Sequence, residues 1–572
     1  MQMLDMPRDQ RTAHGDTPRG NTPWGDTLRG DTLRGESLRS KTGRTASDAG
    51  KLDADDLRER FRKAKASRSA WETRWRDCFD YTLPLSSELH GRGNAQNQPG
   101  RRSDALFDGT AADAVDQLAA SLLAQLTPPW SRWFAFQPGE EIPQELQGHV
   151  ATLLDKASAQ AQAHIDRSDF AVAAHQCYLD LVTAGTACLA VEEAELGAPS
   201  VLRFSAIPIQ DVVLQEGPGG RLDTAFRLRR LSPQQLLARY PKAAPAMAAL
   251  DKQSDAETRI GVLECVLPSD DGRAGYDFFA LLEENAAGMD GDDLLEQGRF
   301  ARSPFIAFRW IKAAGDVYGR SPVMKALPDI KTANKVVELV LKNASIAVTG
   351  IWQADDDGVL NPANVKLVPG AIIPKAVGSS GLTPLAAPGR FDISQLVLDD
   401  LRGRIRHALL VDRLGQVAAP KMSATEVLER AAEMARLLGA VFGRLQGEFL
   451  TPLIDRVVEI LQRRGELPDF ALDGREVKLA YQSPLARVQS QADVQGILMW
   501  LEQIKALGPA AEAVVDKTAV ARWLGRTLGV PGEFLLEAGE QSSEPPPQQQ
   551  QQPGTDPLAA LAPMLQKMSG AA

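Results

Sequence analysis

The chain of 572 residues has four cysteines, six histidines and no apolar run that approaches membrane-spanning length. Each scarcity excludes something. Cys78, Cys177, Cys188 and Cys265 are scattered without a CxxC pair, so they read as reduced thiols rather than a disulfide framework. With no basic-then-apolar leader and no long apolar run, the expectation is a soluble product of the cell interior with no membrane partner. No GxxxxGK[ST] cradle, HExxH, GxSxG or paired CxxC occurs. No histidine stands near a plausible Ser or Cys partner in sequence, and no carboxylate pair stands out for acid–base work. His175, Cys177 and Cys188 lack metal-ligand spacing, and a buried histidine beside small thiols is the plainer reading. The expected catalytic, cofactor-binding and metal residues are therefore none, although a site assembled from distant residues escapes such a search.

An excess of positive charge is lacking too. Lys and Arg number 64 against 74 Asp and Glu, a formal charge of −10, which argues against a protein whose main task is to grip nucleic acid. What the chain does have is length and 44% hydrophobic residues, enough for cores in about three or four domains.

The first fifty residues carry a five-residue repeat (GDTPR, GNTPW, GDTLR, GDTLR, GESLR) with eight Lys or Arg against seven Asp or Glu and little that is apolar. That composition reads as a solvated, disordered arm over 1–52. Folded structure is expected from Asp53, where Leu57, Phe61, Ala64, Arg68, Trp71, Trp75, Cys78 and Thr82 recur at helical spacing up to Pro84. Arg68 interrupts that seam and implies a polar spot on whatever it packs against. A loop over Gly91–Gly100 precedes a second helix, Thr110–Thr127, and the aromatics Trp130, Trp133, Phe134 and Phe136 read as core beneath a loop. One helical stretch over Gln144–Ala187 leads into a strand at Cys188–Glu192.

Between about 200 and 312 the pattern turns to period two. Strands are expected at Ile207–Leu214, Ala225–Arg230, Ile260–Leu267, Tyr276–Leu282 and Phe305–Ile311. In Phe226–Arg229 alternation gives a dry face and a wet one. Ser321-Pro322 then opens a helix by the chemistry of a serine cap and a first-turn proline. Pro328 should kink or restart it, and Ile346–Val348 and Gly350–Trp352 look strand-like. Asp355–Gly358 reads as an exposed turn, with strands at Val365–Val368 and Ile372–Pro374 and a helix over Phe391–Leu414. Ser423-Ala424-Thr425-Glu426 is a capping box that starts a helix of ~40 residues, on the order of 60 Å long. Pro452 predicts a kink in it. Gly439, Gly443 and Gly447 sit four apart on it and make a groove for a close neighbour, either another helix or another subunit. Helices over Val488–Leu507 and Ala510–Leu528 precede a disordered Pro/Gln-rich tail, 538–572.

Several stretches resemble the portal, or head-to-tail connector, proteins of short-tailed bacteriophages. They are Trp71-Glu72-Thr73-Arg74 through Tyr81-Thr82-Leu83-Pro84; Leu118–Leu122 with Pro129–Phe134; Val182-Thr183-Ala184-Gly185-Thr186-Ala187; Tyr318-Gly319-Arg320-Ser321-Pro322 with Asn343; Ser423–Val427; and Leu528-Gly529-Val530-Pro531. The resemblance covers roughly 54–537. It implies an α+β, mainly helical portal fold with wing, stem, clip and crown, a long kinked helix and an inserted β-rich block. The parts would be 53–199 as helical wing, 200–312 as β-rich stem and clip, and 313–350 as stem helix. Wing strands, helix and tunnel loop (about Leu410–Lys421) would fill 351–422, and the long helix with the crown helices 423–537. It implies a ring of identical chains, in this family a dodecamer, at the unique capsid vertex, built in the host cytoplasm and carried in the virion. Its partners would be the terminase large subunit, major capsid and scaffold proteins, and tail adaptors. Double-stranded DNA would pass through without tight binding, and no bond chemistry is implied. Arg413, Lys421, Lys331, Lys335 and Lys342 are the candidate channel contacts. A scaffold or tail subunit, or a nucleic-acid-processing enzyme with a dispersed site, are the alternatives.

Overall fold

The computed structural model describes residues 54–84, 105–195, 197–244, 259–269, 275–283, 294–349, 352–354, 377–378, 382–384, 391–411, 439–482, 484–512 and 514–528. The repeat arm, the Gly91–Gly100 loop, the acidic triplet, the strands expected at 365–368 and 372–374, Arg413, Lys421, the 423–426 capping box and the Pro/Gln-rich tail lie outside these residues.

Helix α1 (Ala54–Thr82) has Asp55 and Asp56 in its first turn, where carboxylates favour the amide end, and it stops two residues short of Pro84. It buries Leu57, Phe61, Ala64, Arg68, Trp75, Cys78 and Thr82, the expected seam, with Trp71 half-buried. The polar spot is real. Arg68 Nη1 donates to the carbonyls of Ile209, Gln210 and Val212 at 3.4, 3.0 and 2.7 Å, and Glu72 holds the other side of the guanidinium.

Helix α2 (Thr110–Leu126) buries Val115, Leu118, Leu122 and Leu126. Of the aromatics after it, Trp133, Phe134 and Phe136 are core as expected, but Phe134 and Phe136 lie in a strand and not beneath a loop. Phe134–Pro138 forms strand β1, which pairs antiparallel with β12 (Val477–Tyr481), more than three hundred residues away, while Trp130 stays exposed. The expected single helix over 144–187 is two, α3 (Gln144–Asp166) and α4 (Phe170–Ala184). Strand β2 (Thr186–Glu193) follows directly. It is the centre of a three-stranded antiparallel sheet between β3 (Leu202–Ile207) and β9 (Phe305–Arg309).

The expected strand Ile207–Leu214 is broken, because Pro208 starts a turn closed by Asp211 N–H to its carbonyl. The chain then crosses to a five-stranded antiparallel meander. Its strands are β4 (Val212–Glu216), β5 (Leu222–Leu231), β6 (Ile260–Pro268), β7 (Tyr276–Leu282) and β8 (Leu294–Phe300). The polar β8 and the short helix α5 (Pro233–Arg239), capped reciprocally by Ser232 and Gln235, were not anticipated from sequence. Arg227 and Arg229 of β5 do not form the expected wet face. Phe226 packs on Phe61 of α1 with ring centroids 5.9 Å apart. Arg227 and Arg229 enclose Glu264, which is 1% exposed and also accepts from the Tyr240 hydroxyl at 2.8 Å. A buried carboxylate needs such partners, so the alternating arginines pair with it instead of facing water.

Helix α6 (Pro322–Thr349) runs through Pro328, and Ile346–Val348 are helical rather than extended. Strands β10 (Trp352–Ala354) and β11 (Leu382–Pro384) pair antiparallel. Helix α7 (Phe391–Ala408) returns along α6 and ends before the expected Leu414, where Leu410 adopts φ +60. The described part of the long helix spans 439–463. Just ahead of Pro452, which has no N–H to return, Gln446–Leu450 widens into a π turn closed by Thr451 N–H to Gln446 O. Helix α8 (Thr451–Arg463) continues from it and stops at Gly465 with φ +73. The last stretch is α9 (Pro484–Leu507), α10 (Pro509–Glu512) and α11 (Lys517–Leu528), so the expected helix over 510–528 is split. Two apolar cores result. One joins α2, α3, α4, β2, α6, α7 and α8, and the other gathers Trp75, Phe79 and Tyr318 with the five-stranded sheet and α5.

Candidate functional site

Three stretches far apart in sequence, around Trp75, Gly185 and Gly319, meet at one buried junction. Gly185 closes α4 in the left-handed region (φ +80), returning its N–H to Leu181 O, and its own carbonyl accepts from Trp310 N–H at 2.9 Å. Gly319 lies against it so closely that a Cβ there would sit 2.1 Å from Gly185 O. Gly319 N–H donates to Thr186 Oγ1 at 2.8 Å. Ser321 Oγ donates to Thr183 O at 2.8 Å and accepts from Met324 N–H at 2.9 Å, so one hydroxyl caps α6 and ties it to α4. The Tyr318 ring meets Trp75 edge-on at 4.9 Å and its oxygen accepts from Leu214 N–H, while Trp75 Nε1 donates to Ala184 O. Burial pushes the Tyr318 phenol up to about 12. Between α1 and the 217–223 turn a groove opens beside it, lined by Arg60, Trp71, Glu216, Asp223 and Asp316 among others.

A charged latch lies next to this junction. Arg309, fully buried at the end of β9, donates from Nε and Nη2 to the two carboxylate oxygens of Glu448 at 3.1 and 2.7 Å, and its Nη groups also reach Val317 O and Gly220 O. Arg444 meets Glu448 from one helical turn away at 2.9 Å. Glu448 sits in the π turn, and the neighbouring Phe449 stacks on Phe308 with centroids 4.2 Å apart. The widened turn thus holds both an ion pair and an aromatic stack against β9. Sequence reasoning missed this pair, and nothing in the spacing of Arg309 and Glu448 signals it.

The candidate channel lysines fall into two groups. Lys331 is tied to α1, with Nζ 2.7 Å from Asp77 and 5.7 Å from the Tyr81 ring. Lys335 and Lys342 are exposed and clasp Glu338 between them at 2.9 and 2.5 Å, and hydrogen bonds from Lys342 and Lys335 lower its carboxyl pKa. Arg413 and Lys421 are outside the described residues. Around Gly439, Gly443 and Gly447 no atom lies within 4 Å of a built Cβ, so no described element occupies that groove. Among the described residues no group of His, Cys, Asp and Glu is arranged to hold a metal ion. Cys177 Sγ donates to Cys188 O at 3.5 Å, and burial pushes the Cys78 and Cys188 thiols up to about 12, which leaves them protonated and inert. No described helix is long and apolar enough to cross a membrane.

Asp180 on α4 is the ionisable group with a testable pH signature. Burial raises its carboxyl from the ordinary value to about 7, against the opposing pull of a hydrogen bond from the Ile209 backbone. A folded pKa above the unfolded one means that folding is penalised as pH rises from about 4 to about 7. Asp180→Asn keeps an acceptor for Ile209 and should raise the thermal midpoint at pH 8 while leaving it unchanged at pH 4. A variant whose midpoint tracks the parent across that range would refute the burial argument.

Comparison with known proteins places these features. Residues 54–535 match the family described as bacteriophage head to tail connecting protein. The chain is 25% identical over 495 residues to the portal protein of Salmonella phage epsilon15, covering 82% of this chain and 86% of the relative. It is 24% identical over 502 residues to the probable portal protein of Bordetella phage BPP-1, covering 84% and 88%. It is 21% identical over 523 residues to the portal protein of Escherichia phage T7, covering 89% and 93%. The matched range takes in all three stretches of the junction and the latch.

Proposed function

The chain belongs to the bacteriophage head-to-tail connecting protein family, a structural family, and from that membership we propose how it works as a portal of the short-tailed-phage type. Copies of the chain form a closed ring, a dodecamer by family likeness, at one capsid vertex. DNA is packaged and ejected through its channel. The terminase large subunit and later the tail adaptors dock on it, and major capsid and scaffold proteins surround it during assembly in the host cytoplasm. It performs no bond chemistry. The observation that carries this reading is the match over 54–535, which spans the junction that joins α1, α4, β9 and α6. The net charge of −10 fits a channel that must let DNA slide, since each neutralised phosphate would add salt-sensitive affinity.

Packing suggests one change to the assignment of parts. Arg58 donates to Leu282 O and Arg68 to the 209–212 carbonyls, so α1 is fastened to the five-stranded sheet and to its crossover. That favours placing the 200–312 block in the wing with the N-terminal helices. Stem and clip then fit the antiparallel pair α6 and α7 and the β10–β11 pair between them in sequence. The long helix would run from wing to crown, with α9 to α11 in the crown and about Leu410–Lys421 as tunnel loop.

Native mass spectrometry and negative-stain imaging of the purified full chain test the reading. The expected result is a ring with a central hole wide enough for duplex DNA. A monodisperse monomer or dimer under all conditions would sink it.

A further inference from the structure

We propose that Asp180 of α4 and Arg68 of α1 form a clasp on the crossover from the three-stranded to the five-stranded sheet, closed by a proton on Asp180 and opened by its loss. The device lies within one subunit and does not depend on the ring reading above.

The chain passes between those sheets twice, at 208–211 on the way out and at 301–304 on the way back. The outward crossing has no strand ladder to hold it. Its turn is closed by Asp211 N–H to Pro208 O at 2.9 Å, and Leu228 N–H donates to Asp211 O at 2.8 Å. Between those bonds the backbone of Ile209 and Gln210 is held by two side chains. Arg68 Nη1 donates to both carbonyls and to that of Val212, and the Asp180 carboxyl accepts from the Ile209 N–H. Ile209 is 1% exposed, so the closed clasp keeps water from the carboxyl that it donates to. Backbone fastened in this way opens at less cost than a strand inside a sheet, because fewer bonds break together.

The two halves of the clasp answer differently to pH. A guanidinium keeps its charge wherever a carboxyl titrates, so Arg68 holds throughout. Asp180 does not. Although the residue as a whole is half-buried, burial is the largest influence on its carboxyl and raises it to about 7 against the opposing pull of the Ile209 bond. None of the ionisable groups on the described elements around it supplies a neutralising charge. Arg68 is committed to the three carbonyls and to Glu72 of α1. Asp116 of α2 lies by His175 instead. Burial keeps the thiols of Cys177 and of Cys188 on β2 protonated, as it does the Tyr318 phenol, and Asp211 in the crossover is itself an acid. Loss of the Asp180 proton therefore leaves a charge that water must solvate, and the crossover is the layer that moves to admit it.

Hydrogen–deuterium exchange of the full chain, followed by mass spectrometry from pH 5 to pH 8 and corrected for the intrinsic rate, tests the clasp. An opening that releases Asp180 to water is favoured about tenfold per pH unit between about pH 4 and about pH 7. Peptides covering 207–213 should therefore lose roughly 10- to 100-fold in protection across the measured range. Peptides within β6, at the centre of the five-stranded sheet, should lose far less, and Asp180→Asn should abolish the excess at 207–213. If the crossover of the parent follows the intrinsic rate, the clasp does not open and the proposal is overturned, whether or not the variant folds. An equal loss in β6 would mean that the whole subunit opens, which overturns it too. If Asp180→Asn keeps the excess, another group is responsible and the assignment to Asp180 fails.

Discussion

Replacing Gly319 with alanine is expected to cost about 3 kcal/mol or more, a large share of the ~5–15 kcal/mol that holds a domain folded. The new Cβ would lie 2.1 Å from Gly185 O and 3.0 Å from Arg309 Cβ, and no side-chain rotation relieves a collision with backbone. Relief requires moving the β9–α6 connection away from the start of β2. That movement would break the Gly319–Thr186 and Trp310–Gly185 hydrogen bonds and loosen the serine cap on α6. Gly185→Ala should behave alike for a second reason: its φ of +80 is costly for any residue with a Cβ, and that Cβ would meet Gly319 O at 2.4 Å. Gly443→Ala is the control. It lies in a helix with nothing within 4 Å, and alanine there should leave the subunit as stable or stabilise it by up to ~1 kcal/mol. Chemical denaturation of the three variants measures this, and equal midpoints for Gly319→Ala and Gly443→Ala would disprove the close approach.

Glu448→Ala is expected to destabilise the subunit by roughly 3 kcal/mol, because it removes the carboxylate hydrogen-bonded to the buried Arg309 guanidinium and leaves only Glu216, 3.8 Å from it. Arg309→Met should cost a similar amount, since it leaves Val317 O and Gly220 O without a donor and removes one of the two arginines on Glu448. The informative measurement is the double variant Arg309→Met with Glu448→Leu. A buried pair replaced by apolar groups often loses little, so the double variant should be more stable than the sum of the singles by at least ~1 kcal/mol. Strict additivity would mean that the two side chains do not act as a unit. Near-UV circular dichroism adds a second readout, because the Phe308–Phe449 stack shares the π turn with Glu448.

How much of this was legible in the sequence varies with the range of the interaction. The α1 seam came out in all but Trp71 because it is a local repeat, and Arg68 could be read as answering a polar spot even though the carbonyls it answers lie some 140 positions on. The serine cap on α6 was readable for the same reason, being a contact over three residues. Period two placed most strands but could not say where a strand leaves one sheet for another, so 207–214 was read as one piece. It also assigned Arg227 and Arg229 to water, since nothing local announces that Glu264 on the next strand is buried beside them. The polar β8 carries too little alternation to be recognised, and β1 is a strand because of a partner at 477–481. Of the candidate site residues, Lys335 and Lys342 are exposed and pair with Glu338 within their own helix, whereas Lys331 is committed to Asp77 of α1, a contact 254 positions apart.

The sequence by itself determined the seam of α1, the serine-and-proline start of α6, the absence of local catalytic motifs and the family resemblance, because each is written in neighbouring residues or in the order of short motifs. Only the tertiary structure decided that Gly185 and Gly319 lie back to back and that Arg309 finds Glu448. Those facts depend on chain segments more than a hundred residues apart arriving at the same place. Local sequence periodicity cannot encode such a meeting, because the partners are brought together by the packing of the two cores.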